Sequence, residues 1–251
     1  MATHKERWDA YLVKDDEGNP TRVLRNNFGI TNLRELERVE RRCSGIARQE
    51  IESGEIQIPR TFDMAHLRLI HEKLFEQVYP WAGKVRTVAI SKDFTDFALP
   101  GPEIAHAMSQ AQKIIADTPW ATLDQATFGL RMAQVFAWVN HAHPFREGNG
   151  RTTRQFMRHV AELAGRELHF ERVPAQAWNQ RSAMTSPDRG SHTPVPDAMV
   201  DVFKIIGTPM ERPQSKDRPL IDQLRERAQQ IQAERRDHRP SQPERRESRE
   251  R

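Results

Sequence analysis

Cysteine is nearly absent from this 251-residue chain. Cys43 stands alone, so neither an internal disulfide nor a cysteine-rich zinc module can form. Long apolar runs are missing too. No stretch approaches the roughly 18 residues that a membrane span needs, and the N-terminus MATHKERWDAY has no apolar segment of the signal-peptide kind. The expectation is a soluble cytoplasmic protein with no membrane contact. Apolar residues make up only 37% of the chain and charged ones 29%, so some of its length must lack a core.

A strong surplus of one charge is also missing from most of the chain. The formal charge is +4, but residues 211–251 carry +3 of it and the first 210 only +1. The basic tail (RRDHRPSQPERRESRER) invites a nucleic-acid reading. Its interleaved acids cancel the field that a duplex would feel, which makes nucleic acid an unlikely partner. From Gln232 onward there is no Val, Ile, Leu, Met or aromatic residue. Such a segment cannot bury enough surface to offset its ordering entropy and is expected to be disordered or a fraying helix. A short solvated helix is expected over 219–231. The expected organisation is a lead-in over 1–19, a domain over 20–210 and a charged tail over 211–251.

The body reads as helix. Leu33, Leu36, Val39 and Cys43 return at helical spacing after Thr31, a candidate N-cap, which makes Cys43 a small core residue rather than a nucleophile. Asp63 caps a second helix carrying Leu67, Ile70, Leu74 and Phe75, and Pro102 suits the first turn of a third. A fourth spans about 123–141 with Phe128, Met132, Val135, Phe136 and Val139 on one face. A fifth follows Gly150, with Gly165 as its stop; Pro174 opens a sixth; a seventh ends at Gly207. One stretch breaks the period. Residues 86–99 (RTVAISKDFTDFAL) alternate like a short β-hairpin set into an all-α body. An isolated hairpin is marginal, so it must pack on the helices or meet a partner strand.

The chemistry concentrates in residues 143–154, HPFREGNGRTTR. An apolar helix delivers His143, Pro144 stops it, and a new helix starts near Gly150. The Gly148-Asn149-Gly150 turn lets backbone N–H groups approach an anion, and the helix N-terminus adds partial positive charge. Arg151 and Arg154 are three apart, on one expected face, and two guanidinium groups suit a polyphosphate. Glu147 fits beside phosphates only with a divalent cation between, the usual magnesium arrangement. His143 is the group there that exchanges a proton near neutral pH. Together these residues describe Mg-nucleotide binding beside a histidine base. A competing reading makes His141, His143 and Glu147 ligands of a hydrolytic metal, but it leaves the arginine pair unexplained.

Residues 143–154 match every specified position of H-P-F-x-[D/E]-G-N-G-R-x-x-R, so the chain resembles the Fic family. The stretch VYPWAGKVRTVAISK over 78–92 is similar to that family's lead into its flap. RVLRNNFGITN over 22–32 is similar to the lead-in of the bacterial toxin and type IV effector branch. The resemblance covers about 20–207 and implies a Fic-type helical bundle with an inserted hairpin flap. It implies transfer of AMP from Mg-ATP to a Tyr, Thr or Ser hydroxyl of a target protein, in the bacterial cytoplasm or after export into another cell. By resemblance His143 is the general base and Glu147 holds Mg²⁺. Gly148, Asn149 and Gly150 form the anion hole, Arg151 and Arg154 meet the β- and γ-phosphates, and Phe145 anchors in the core. Ile90 and Ser91 lie near the nucleotide, while Val88, Lys92, Asp93, Phe94 and Thr95 position the target on the flap. Gly150, where phosphorylating members carry Lys, favours AMP transfer, although transfer of phosphocholine or of another nucleotide is not excluded by the motif.

Many members carry an autoinhibitory helix, [S/T]-x-x-x-E-[G/N], and this chain has no match. Thr31 to Glu35 comes nearest, but Leu36 follows. The resemblance therefore implies a small separate antitoxin that offers its Glu to Arg154.

Overall fold

A computed structural model describes residues 2–92, 95–188 and 191–210; the charged tail and its expected helix over 219–231 lie outside the described residues. The chain begins with α1 (His4–Asp9), whose Thr3 and Glu6 form a reciprocal capping box. It continues into an antiparallel hairpin, β1 (Leu12–Lys14) on β2 (Pro20–Leu24). The expected boundary at 19/20 falls inside this hairpin.

Helix α2 (Leu33–Ser53) follows, and its cap is Asn32 rather than Thr31: Asn32 accepts from the Glu35 N–H at 3.1 Å. Asp63 caps α3 (Met64–Phe75) by accepting from His66. The flap is shorter than the alternation suggests. Only β3 (Ser91–Lys92) and β4 (Thr95–Asp96) pair, and Val88 and Ile90 precede them as irregular chain.

Helix α4 (Pro102–Asp117) has proline at its first turn, as expected. Next come α5 (Gln125–Ala142), capped by Asp124, and α6 (Asn149–Glu162), which starts one residue before Gly150. Gly165 does not stop α6. The helix closes at Leu163, and Gly165, with φ of 61°, makes the turn into β5 (Arg166–Leu168). Helices α7 (Ala175–Ala183) and α8 (Asp197–Ile206) follow, and β6 (Gly207–Pro209) returns to pair with β5. The body is mostly helical, as expected, with three two-stranded ribbons among the described residues where the sequence suggests one.

Helix α5 sits at the centre and packs on α4, α6 and α8. Phe128, Met132, Val135 and Val139 are wholly buried. At about 1.5–3 kcal/mol for each large apolar side chain, this helix holds the frame around which the others pack. Beneath α6, His66 of α3 and His159 stack, with their Nε2 and Nδ1 2.8 Å apart. Both rings are held neutral by burial, with pKa values of about 4 and about 2.

Candidate nucleotide site

His143 caps the C-terminus of α5 in a left-handed conformation, φ 38°, unusual for a residue with a side chain. What holds it there is Arg86, a wholly buried cation with no carboxylate partner among the described residues. Its Nε donates to the His143 carbonyl at 2.8 Å, and its terminal nitrogens donate to the carbonyls of Val88, Ala98 and Ala142. Its backbone N–H donates to Pro144, and the Ala98 N–H donates to the His141 carbonyl. One side chain thus joins both legs of the flap to the end of α5. A cation there also meets the negative end of the helix dipole. Burial brings its pKa down to about 10, which leaves it protonated at neutral pH.

The His143 ring is half-buried, stacked on Phe97 with centroids 3.7 Å apart and planes 17° off parallel. Its Nδ1 lies 3.2 Å from the Asn140 carbonyl. A carbonyl can only accept, so Nδ1 carries the proton and Nε2 keeps its lone pair for the cavity. Burial first, then the charges of Arg86 and Lys92, lower the pKa to about 3, against the raising pull of the Asn140 bond. The imidazole is neutral at pH 7.

The turn after His143 is fastened from below. Phe145 is fully buried, as expected, and stacks on His71 at 3.8 Å. Asn149 is buried, and its side chain exchanges two hydrogen bonds with the Phe145 backbone, at 2.9 and 2.8 Å. Its amide therefore shapes the loop, and only its backbone can serve an anion. Gly148 lies at φ 80°, where a Cβ would come within 2.4 Å of the Phe75 ring. Gly150 is the opposite case: a Cβ there meets nothing within 4 Å. The Gly148 N–H bonds to Glu147 Oε1 at 2.9 Å. The N–H groups of Asn149, Gly150 and Arg151 have no acceptor among the described residues, which leaves a helix N-terminus open to an anion.

Arg151 and Arg154 both border the cavity, but their surroundings differ. Arg151 pairs with Glu40 of α2, donates to Ser44 Oγ at 3.0 Å and lies over the Phe75 ring. Tyr79 donates to the same Glu40, and Glu147 stands 3.9 Å from Arg151. Arg154 turns toward Phe170 and Trp178, and its buried Nε has no partner among the described residues. The reason lies in what each side chain meets one turn apart: a buried carboxylate for the first, aromatic rings for the second.

These groups line one cavity of about 1110 Å³. His143, Glu147, Gly148, Asn149, Gly150, Arg151 and Arg154 all border it, together with Ile90, Ser91 and Lys92 of the flap, each a residue expected at the site. Val88 does not. It is wholly buried and cannot meet a target, because an alternating pattern does not say which face is covered. Asp93, Phe94 and the side chain of Thr95 lie outside the described residues. Sequence reasoning missed Arg86, Phe97, Glu40 and a wall from α7 that includes Gln176, Asn179 and Gln180. Arg86 stands inside the flap-like stretch and could have been singled out; the polar residues of α7 carry no local signal.

For a divalent cation the donor set is one hard carboxylate, Glu147, exposed to the cavity. That fits magnesium arriving with phosphate oxygens, which needs only one or two carboxylates. The hydrolytic-metal reading fails here: among the described residues no group of three His, Cys, Asp or Glu side chains could hold an ion.

A Fic/DOC family model matches residues 61–161. The protein adenylyltransferase VbhT of Bartonella schoenbuchensis is 38% identical over 162 residues, which cover 64% of this chain and 34% of VbhT. The chain thus spans about a third of that relative's length. The probable protein adenylyltransferase y4lH of Sinorhizobium fredii is 32% identical over 154 residues, covering 59% of this chain and 75% of the relative. Among solved structures, BepC of Bartonella tribocorum, a VirB-translocated effector crystallised with AMPPNP, superposes with a TM-score of 0.68 at 26% identity, covering 81% of this chain and 98% of that one. A helical frame that holds HPFREGNGRTTR at an open helix N-terminus, and a relative matched over three quarters of its length, lead to one assignment: this chain belongs to the Fic/DOC family.

Proposed function

We propose that this chain transfers AMP from Mg-ATP to a Tyr, Thr or Ser hydroxyl of a target protein. The observation that carries the reading is the pairing of a neutral His143, its Nε2 lone pair toward the cavity, with the unpaired N–H groups of residues 149–151. The target oxygen attacks the α-phosphorus and gives its proton to Nε2. The bond from the α-phosphorus to the bridging oxygen breaks, and pyrophosphate leaves. The unpaired N–H groups stabilise the charge that builds on the α-phosphate oxygens. Arg154, with no acceptor among the described residues, takes the phosphate tail, and Glu147 would hold a magnesium ion that supplies charge neutralisation. Arg151, already paired with Glu40, holds Glu147 in place more than it grips phosphate. The flap, anchored at both legs by Arg86, presents its outer edge to an extended target segment.

BepC is described as translocated and VbhT as an adenylyltransferase, which supports a role as a toxin or exported effector. An Arg154 that pairs with no carboxylate among the described residues suits control by a separate antitoxin that supplies a Glu. The test is His143→Ala. We expect AMP transfer from α-labelled ATP to fall by about 10²–10⁴-fold, the usual contribution of a general base, with Mg-ATP affinity unchanged. Retained transfer would refute the mechanism.

A further inference from the structure

Three arginines line the cavity, and among the described residues only Arg151 has its charge answered by a carboxylate. Arg154 and Arg146 share a different condition. Each has a buried Nε without a hydrogen-bond partner, and neither pairs with a carboxylate among the described residues. Each lies over aromatic rings: Arg154 over Trp178 and Phe170, Arg146 over Trp8 at 4.1 Å and Tyr11 at 5.9 Å. Stacking fixes the plane of a guanidinium while its edge N–H groups stay free for a bidentate acceptor. Arg146 fills an unspecified position of the motif, and Trp8 comes from α1, outside the region that the family model matches.

The two arginines stand on separate walls. The rings under Arg154 belong to Phe170 and α7; those under Arg146 belong to α1 and the chain entering β1. An in-line displacement sends attacking and leaving oxygens to opposite sides of phosphorus. Two anion sites on separate walls of one cavity therefore match an acceptor segment and a departing pyrophosphate. Resting on the reading above, in which Arg154 takes the phosphate tail, we infer that Arg146, clamped by Trp8, binds the carboxylate of an Asp or Glu beside the acceptor hydroxyl of the target. The chain thereby selects acidic acceptor sequences.

The test uses the full chain carrying His143→Ala, loaded with Mg-ATP so that binding is read without turnover. Its probes are short extended peptides with a central Tyr, Thr or Ser, flanked either by Asp and Glu or by Asn and Gln. Acidic peptides should bind about tenfold more tightly, as a charge-assisted hydrogen bond implies, and adding R146Q should abolish the preference. Adding W8A should weaken it, and ATP affinity should not change in either variant. Equal binding of the two peptide sets, a preference that survives R146Q, or a loss of ATP affinity in R146Q would each overturn the assignment. Failure of the unsubstituted chain to transfer labelled AMP to any acceptor would instead overturn the reaction and leave the binding result to stand.

Discussion

Two helix ends border the site, and they are built in opposite ways. At the C-terminus of α5 the carbonyls of Ala142 and His143 are answered by Arg86. At the N-terminus of α6 the N–H groups of residues 149–151 are answered by nothing in the described protein. A satisfied end fixes a group in place, and an unsatisfied end waits for a ligand. The base belongs to the first and the phosphates to the second, so one short loop divides holding from binding.

The largest effect should come from breaking the closed end. Replacing Arg86 by Met leaves several buried carbonyls without a donor, and we expect a loss of about 3–5 kcal/mol in urea denaturation. Arg86→Lys keeps the charge and should recover part of the stability. It should still transfer AMP slowly, because one ammonium cannot reach both flap legs and His143. Full transfer by the lysine variant would show that Arg86 does not position the base.

Acid should loosen both ends. His71 donates to the Glu147 carbonyl and accepts from the Gly83 N–H, and His66 supports α6 through His159. His66 and His71 both have pKa values lowered to about 4, mainly by burial. A depressed histidine pKa means that the unfolded chain binds protons first. Stability is then complete above pH 6.5 and falls between pH 6.5 and about 4. By pH 4.5 each of the two should cost on the order of 2–3 kcal/mol, visible as a falling Tm. The Arg86 contacts do not titrate in that range. His143 at the end of α5, held lower still at about 3, adds its own loss, so hydrogen exchange should rise at both helix ends as the pH falls; a Tm unchanged between pH 6.5 and 4.5 would refute this.

The smallest and sharpest contrast lies in two glycines of the open end. Gly148→Ala meets a positive φ and the Phe75 ring, and should cost about 2 kcal/mol in stability. Gly150→Ala enters free space in a first helical turn and should leave stability equal or raise it by up to about 1 kcal/mol. If that space receives phosphate, the same variant should bind ATP more weakly. Unchanged ATP affinity in Gly150→Ala would place the nucleotide elsewhere.

Much of this frame is legible along the chain. Asp63, Pro102 and the apolar spacing of α5 are local signals, and residues 143–154 place base, turn and arginines within a few turns of one another. What is not legible is settled by distant partners. Arg86 reads as an ordinary flap arginine until the end of α5 surrounds it. Arg151 reads as a twin of Arg154 until Glu40 arrives from α2. The β5–β6 ribbon joins segments about forty residues apart, and neither strand is long enough to announce itself. Val88 alternates as a flap residue should, yet alternation does not reveal which side faces the core.

The Glu40–Arg151 pair spans 111 residues of chain, and its consequence is one of timing. During synthesis α2 leaves the ribosome well before α6 exists, so Glu40 stays without its partner until the motif itself has emerged. The loop between them must then close before Arg151 and Glu147 take up their places. A nascent or truncated chain has the histidine but no assembled cavity. The cavity is complete only once the motif and the helix that precedes it by 111 residues have met.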